Sequence, residues 1–423
     1  MENYDALPLY SSIIAEIEGA KKFVEEGGIN CIPNPFPNFR KKFPGIRKKT
    51  YYIITGATKS AKTQFLNYFF IITPILYYIE HPDKLKPKIL YVPLEETKEE
   101  IAMRFYSYII YRLSKGKYML NSEDLLSIDA DKILPQEVLD LMKSDTFKKY
   151  AKVYEECVTF ITDVRHPTGI LKRIEEYFAS SGHIEITTKD VIYTDSMNQV
   201  HKDTVNIKNY IPNNPNEYVI CVTDHAGLLS QETEKIDERR RERLTLKATI
   251  EKLSDYYRYI RDTYEAIPVL VMQQNSETTN LEAIKEERIR PTKDGLKDSK
   301  RPGEDCTVLI GITNPHSFGL SKYIEYPISR LKDYFRLVEI VLNRKGRANQ
   351  LCPLFFDGSV NTFKELPPPE DKQGLEKYCD YVTRVTRPKE SATMMIFGNM
   401  LLKQTFKNLY NGITNRKKKT PSI

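Results

Sequence analysis

Between two apolar runs stands Gly56-Ala57-Thr58-Lys59-Ser60-Ala61-Lys62-Thr63, which matches the phosphate-loop spacing GxxxxGK[ST] at every position but one. In such a loop the backbone N–H groups and the start of the following helix cradle phosphates. The lysine meets the outer phosphate oxygens, and the hydroxyl residue ligates Mg²⁺. Gly56, Thr58, Lys59, Ser60, Ala61, Lys62 and Thr63 are therefore candidates for nucleotide contact, and Thr63 also for the metal. Ala61 is the departure, since the pattern has glycine there. Its Cβ is costly if φ is positive and otherwise crowds the phosphate approach. The plain alternative is a strand, a polar turn and a helix whose ending matches by chance.

Three further polar residues each close an apolar run. Glu95 follows KILYVPL, and a carboxylate at a sheet edge beside a phosphate loop can polarise the water that attacks the terminal phosphate. A glutamate there also serves as a solvated residue or helix cap. Asp224 closes YVICVT, a position from which a single acid holds Mg²⁺ at the carboxyl edge of an open α/β sheet. His225 beside it reads as a packing or solvent-facing residue, with nucleotide or nucleic-acid contact as the alternative. Gln273-Gln274 closes IPVLVM, where a neutral amide can sense the terminal phosphate and pass its state to the next loop. An exposed glutamine pair without a role is the alternative. The set is specific because its members occur in order, each ending an apolar strand.

The elements that must position these residues are legible in the periodicity. Strands are expected at residues 50–56, 88–96, 158–164, 218–229, 267–274, 306–312 and 336–343. Helices are expected between them, one opened by a capping box of Thr97 and Glu100. Strand, helix, strand, helix implies an α/β fold with a mostly parallel sheet. Leu9, Ile13, Ile17, Ala20 and Val24 mark an amphipathic N-terminal helix, and residues 183–217 read as a hairpin-like insertion. After Pro367-Pro368-Pro369 a helix is expected at 394–410, ending in the basic tail NRKKKT. The apolar run 65–79 is shorter than the roughly 20 residues of a membrane span. Asn67 and Pro74 also interrupt it, so a core helix is expected and no membrane segment.

Composition agrees with a globular, intracellular chain. Its 423 residues are 40% hydrophobic, with 18 Gly and 24 Pro, which excludes intrinsic disorder and collagen-like structure. Lys and Arg total 64 against 57 Asp and Glu, a net charge of +7 too dilute to name a partner. The six cysteines form no CxxC pair or metal-ligand set, so free thiols are expected. With no basic and apolar leader at its start, a cytoplasmic location is expected.

The chain resembles the RecA-like motor domain of the DnaB family of replicative helicases, of the kind that phages encode. The likeness runs from about residue 29 to 366. IPNPFPNFRKKFPGIRKKTYYIITGATKSAKT resembles the family's phosphate-loop region, and LYVPLEETKEEIAMRF its strand with the catalytic glutamate. YVICVTDHAGLL, VLVMQQNS and RLVEIVLNRKG resemble the strands bearing its acid, its sensor glutamine and its arginine finger. RIRPTKDGLKDSKRPGEDCTVLIGI resembles the segment after its second DNA loop.

This resemblance implies a RecA-like phosphate-loop NTPase core with a mostly parallel, twisted sheet flanked by helices. It implies a linker helix in 1–30, a motor domain over 31–366 and a C-terminal helical extension over 367–423. Lys62, Thr63, Glu95, Asp224 and Gln274 would serve phosphate, Mg²⁺, water activation, Mg²⁺ and sensing. Where the family has Lys-x-Arg before a glycine, this chain has Leu342 and Arg344. Arg344 is the expected finger, with Lys345 or Arg347 as substitutes. DNA contacts would come from Arg239, Arg240, Arg241 and Arg243 in one channel loop and Lys285, Arg288 and Arg290 in the other. A salt-bridged solvated helix is the alternative for the first loop. The family's N-terminal globular domain has no counterpart, and the first helix resembles the linker that docks on the next subunit, with a core helix as the alternative.

The implied activity is ATP-driven, Mg²⁺-dependent 5′-to-3′ unwinding on single-stranded DNA by a homo-hexamer, with a primase or loader as partner. The alternatives are a RecA- or KaiC-like ATPase that does not unwind, and a non-hydrolysing nucleotide- or DNA-binding scaffold.

Overall fold

Residues 8–129, 132–194, 199–235, 241–275, 281–286 and 288–386 are described by a computed structural model. The elements that matter for the site begin with α1 (Pro8–Glu25), β1 (Tyr52–Gly56), α2 (Lys62–Leu66), β2 (Lys86–Pro93), α3 (Lys98–Leu113) and β3 (Val158–Phe160). Then follow α4 (Pro167–Ser181), β4 (Gly182–Thr194), β5 (Val200–Pro212), β6 (Glu217–Asp224), α5 (Leu246–Tyr264) and β7 (Ile267–Gln273). Last come β8 (Val308–Thr313), β9 (Phe335–Asn343), β10 (Gln350–Asp357), β11 (Thr362–Glu365) and α6 (Lys372–Thr386).

Nine strands make one sheet in the order β11-β10-β9-β8-β1-β7-β6-β2-β3. The six from β8 to β3 run parallel, and β9, β10 and β11 extend the sheet antiparallel. The parallel strands read as unbroken apolar runs because both faces are covered. Alternate residues enter two cores: Ile54, Val222 and Val269 on one face, Ile53, Cys221 and Leu270 on the other. The late strands β7 and β8 flank β1, so the chain crosses three places to reach β2. This opens a crevice above the carboxyl ends of the strands, where open α/β sheets bind ligands. Register levels those ends, with Gly56 beside Gln273 and Ile312, and Asp224 beside Pro93.

The expected strands are present with ends shifted, some shorter and some extended by a residue or two, and the 65–79 run is helical but not uniform. After α2 it passes through a π-type turn at Asn67–Ile72 and continues as an α-helix over Thr73–Glu80. Pro74 has no N–H for the helix ladder, and the Tyr68 carbonyl one turn earlier accepts both the Thr73 N–H and, at 2.8 Å, the Thr73 hydroxyl. The capping box forms: the Glu100 carboxylate accepts from the Thr97 N–H at 2.8 Å, and the Thr97 hydroxyl from the Glu100 N–H at 3.2 Å.

Gly182–Thr194 and Val200–Pro212 pair as a two-stranded antiparallel ribbon, β4 with β5. On α1, Tyr10, Ile13, Ile17 and Val24 are all exposed. No helix of the described residues is long and apolar enough to cross a membrane. All six cysteines are free thiols. The compact unit that holds the sheet ends at Pro367. In the second unit α6 is described, its start capped by the Asp371 carboxylate accepting from the Gly374 N–H at 2.8 Å. The helix expected at 394–410 and the basic tail lie outside the described residues.

Candidate nucleotide-binding site

The loop from β1 to α2 is tightly specified. A Cβ on Gly56 would sit 2.5 Å from both the Ile312 carbonyl and the Ser60 hydroxyl, so only glycine fits there. Lys59 and Ala61 both adopt positive φ, 63° and 73°. Ala61 thus occupies the left-handed conformation that the usual glycine would take without cost, and it caps α2. Left-handed backbone costs an L-residue about 1–2 kcal/mol. Ala61→Gly is therefore expected to raise unfolding free energy by up to about 1 kcal/mol, against the usual sign of Ala→Gly, after the glycine's extra unfolded-state entropy is subtracted. Urea denaturation checks this.

Lys62 is buried, with its ammonium donating to the Ala57 carbonyl at 2.9 Å. Burial lowers its pKa, and the charges of Asp224 and Glu95 work in the opposite direction. The Thr63 hydroxyl donates to Asp224 Oδ1 at 3.4 Å and the Tyr91 hydroxyl to Oδ2 at 3.2 Å. Asp224 is 3% exposed. Burial pushes its carboxyl up to about 7, with Glu96 and Glu95 adding repulsion and the two hydroxyls opposing it. Such a carboxylate beside a hydroxyl oxygen suits a hard divalent cation. Among the described residues no group of three or more His, Cys, Asp or Glu could hold a metal alone. The Thr63 hydroxyl and the Asp224 carboxylate are oxygen donors of the kind Mg²⁺ takes.

The two glutamates after β2 differ in their surroundings. Glu96 is paired with the Arg104 guanidinium. Glu95 is exposed, with no ion pair among the described residues, and within electrostatic reach of Lys62 and Asp224. Gln274, 8% exposed, ties two segments together. Its amide donates to Thr55 Oγ1 and to the Thr292 carbonyl, each at 3.0 Å, and accepts from the Thr292 N–H at 3.2 Å. It therefore joins the phosphate-loop strand to the far end of the loop that follows β7.

Sequence reading missed a brace on the other side. Arg336, 2% exposed, donates Nε to the Ser60 carbonyl at 3.2 Å and Nη2 to Asp333 Oδ1 at 3.2 Å. Asn314 donates to that same Asp333 oxygen at 2.7 Å and to the Lys59 carbonyl at 3.4 Å. The one available signal was an arginine opening the apolar run RLVEIVL, where a charge is buried only if fully bonded.

Arg344 lies in the turn after β9, at the opposite edge of the sheet from the phosphate loop. Its Nε donates to the Cys306 carbonyl at 3.0 Å, and Nη2 donates to the Glu304 carbonyl. Lys345 donates to the Lys49 carbonyl at 2.7 Å, whereas Arg347 is exposed, with no ion pair among the described residues.

Of the expected DNA contacts, Arg239 and Arg240 lie outside the described residues. Arg241–Arg243 form a short strand paired with Thr233–Lys235, so the described part of the first loop is a ribbon rather than a solvated helix, and Arg243 is exposed. Its base is pinned by Glu232. Burial alone would raise that carboxyl, but Lys252, Thr168 and His166 outweigh it and hold it at about 2. In the second loop Lys285 is exposed, Arg288 pairs with Glu286 at 2.6 Å, and Arg290 pairs with Glu339 of β9 at 3.4 Å.

No protein-family model and no curated protein matches the sequence. Solved structures do. The isolated ATPase domain of a helicase superposes with a TM-score of 0.54 at 14% identity, over 87% of this chain and 100% of that one. A DnaB-like replicative helicase, described with its interactions with primase, gives 0.54 at 14% over 86% of this chain and 67% of that one. A KaiC-like protein from Pyrococcus horikoshii OT3 is more distant, at 0.40 and 14% over 79% and 98%. These superpositions show the fold, a RecA-like α/β core as in the ATPase domains of DnaB-like helicases.

Proposed function

We propose that this protein is an ATP-hydrolysing motor on single-stranded DNA, a replicative helicase moving 5′ to 3′ as a homo-hexamer. The observation that carries the reading is the convergence of Lys62, Thr63, Glu95, Asp224 and Gln274 on one sheet edge, on the fold of helicase ATPase domains. The Ala57–Ala61 loop and Lys62 bind and orient the phosphates. Mg²⁺, held through Thr63 and Asp224, supplies charge neutralisation at the phosphate oxygens. Glu95, left free by the Glu96–Arg104 pair, orients the attacking water and takes its proton. Gln274 passes the state of the site to the loop after β7, which together with the loop after β6 tracks the DNA backbone through its cations. The exposed apolar face of α1 favours the linker role, docking on the next subunit. A primase or loader as partner and the host cytoplasm as location complete the reading.

ATP hydrolysis is expected to rise with single-stranded DNA, to weaken with salt, and to vanish in Lys62→Ala. A forked-duplex assay then separates unwinding from an ATPase that does not unwind. A wild type that binds nucleotide tightly without turnover, with or without DNA, would point instead to the scaffold reading, which Ala61 and Leu342 favour.

A further inference from the structure

One polar group beside the site has no part in the proposed reaction. His225 follows Asp224 directly and is 9% exposed. Its Nδ1 accepts from the backbone N–H of Gly227 at 3.1 Å. A ring nitrogen that accepts carries no proton, so the neutral imidazole holds its hydrogen on Nε2. Nε2 is thus a donor, and it has no acceptor among the described residues. Buried donors are rarely left unpaired, so this one is poised for an acceptor that arrives with a ligand.

The surroundings identify that acceptor. Lys62 and Glu95 lie within electrostatic reach of the ring, as do Lys297 and Asp298 from the segment after Gln274. Lys62 and Glu95 are the residues that bracket the terminal phosphate in the proposed reaction. The ring is also fixed in place: a Cβ on Gly227 would come within 3.1 Å of its Cε1, so the ring packs flush against that glycine.

We propose that His225 Nε2–H donates a hydrogen bond to an oxygen of the terminal phosphoryl group, so that the site distinguishes a nucleoside triphosphate from a diphosphate through this residue. The assignment rests on the triphosphatase reading of the same site.

The test is calorimetric titration of the full chain, with Mg²⁺ present, using a non-hydrolysable ATP analogue and ADP. His225→Phe keeps a ring and removes the donor, and His225→Gln keeps an N–H. The phenylalanine variant is expected to bind the analogue at least about tenfold more weakly, the scale of a lost hydrogen bond to a charged group, with ADP within about twofold. The glutamine variant should recover most of the loss. A folded His225→Phe that binds the analogue like wild type, or loses both nucleotides equally, overturns the proposal.

If the phenylalanine variant does not fold, wild type labelled with ¹⁵N-histidine serves. The Nε2–H resonance, assigned by its absence in His225→Gln, should shift with the analogue and not with ADP, and an equal response to both overturns the proposal. A wild type that binds neither nucleotide overturns the triphosphatase reading itself, and this assignment with it. A wild type that binds both while the variants behave identically overturns His225 alone.

Discussion

Arg344→Ala is expected to lower ATP turnover by about 10³- to 10⁵-fold while nucleotide affinity stays within about twofold, the behaviour of a lost arginine finger. On the finger reading, the geometry requires the effect to act between subunits. Asn343 pairs with Val308, which is level with Tyr52 at the amino end of β1, and the phosphate loop begins at the other end, at Gly56. Four steps along the strand, from Tyr52 to Gly56, separate the two, about 13 Å at the usual rise. Arg344 cannot span that distance and remain bonded to the Cys306 and Glu304 carbonyls. Any cation it supplies therefore serves another chain's nucleotide. Mixing Arg344→Ala with Lys62→Ala checks this directly. Some interfaces in the mixture regain both an intact phosphate loop and an intact arginine, so activity should return. Loss in Arg347→Ala with a normal Arg344→Ala would move the finger to Arg347. Normal rates in Arg344→Ala, Lys345→Ala and Arg347→Ala would remove it altogether.

Asp224→Asn is expected to abolish Mg²⁺-dependent turnover and, in metal-free buffer at pH 8, to make the protein more stable. The reason is the buried charge. The folded carboxyl titrates at about 7 against the ordinary 3.8, so folding opposes ionisation of this group. With the folded pKa raised, the favourable contribution is present in acid and is lost as pH climbs from about 3.8 through about 7. The limiting size of a shift of this magnitude is about 4 kcal/mol. The asparagine variant should accordingly melt higher than wild type at pH 8, with the gain shrinking toward pH 4. Saturating Mg²⁺ and nucleotide should reverse the order, since wild type alone gains from them. A variant that melts lower at pH 8 would mean that the hydrogen bonds from Thr63 and Tyr91 outweigh the charge.

Much of this site was readable before the fold, for a physical reason. A parallel strand covered on both faces must be apolar without interruption, so the glycine or polar residue at its end, Gly56, Asp224 or the Gln273-Gln274 pair, marks the candidate site's edge. Glu95 needed more. Only the ion pair of Glu96 with Arg104 separates two adjacent and chemically equal carboxylates. The sign of φ at Ala61 was likewise undetermined by sequence, and it proved positive. Arg336, Asp333 and Asn314 escaped because their meaning depends on Ser60 and Lys59, more than 250 positions away, brought near only by the pairing of β8 with β1. The strands β10 and β11 escaped too. Pro353 in the middle of QLCPLFFD argues against a strand, and it is accommodated where β10 pairs Leu337 on one side and β11 has ended on the other.

The strand β9 has a further consequence. Near its start Arg336 grips the phosphate loop, and Arg344 follows its far end. Nine extended residues make a strut of about 30 Å, held by its ladders to β8 and β10 with one irregularity of register at Val341. In a closed ring, a displacement of one phosphate loop would travel along that strut to the cation presented next door. Each site would then set the readiness of its neighbour, and hydrolysis would pass round the ring in order, like an escapement, instead of firing at six independent clocks.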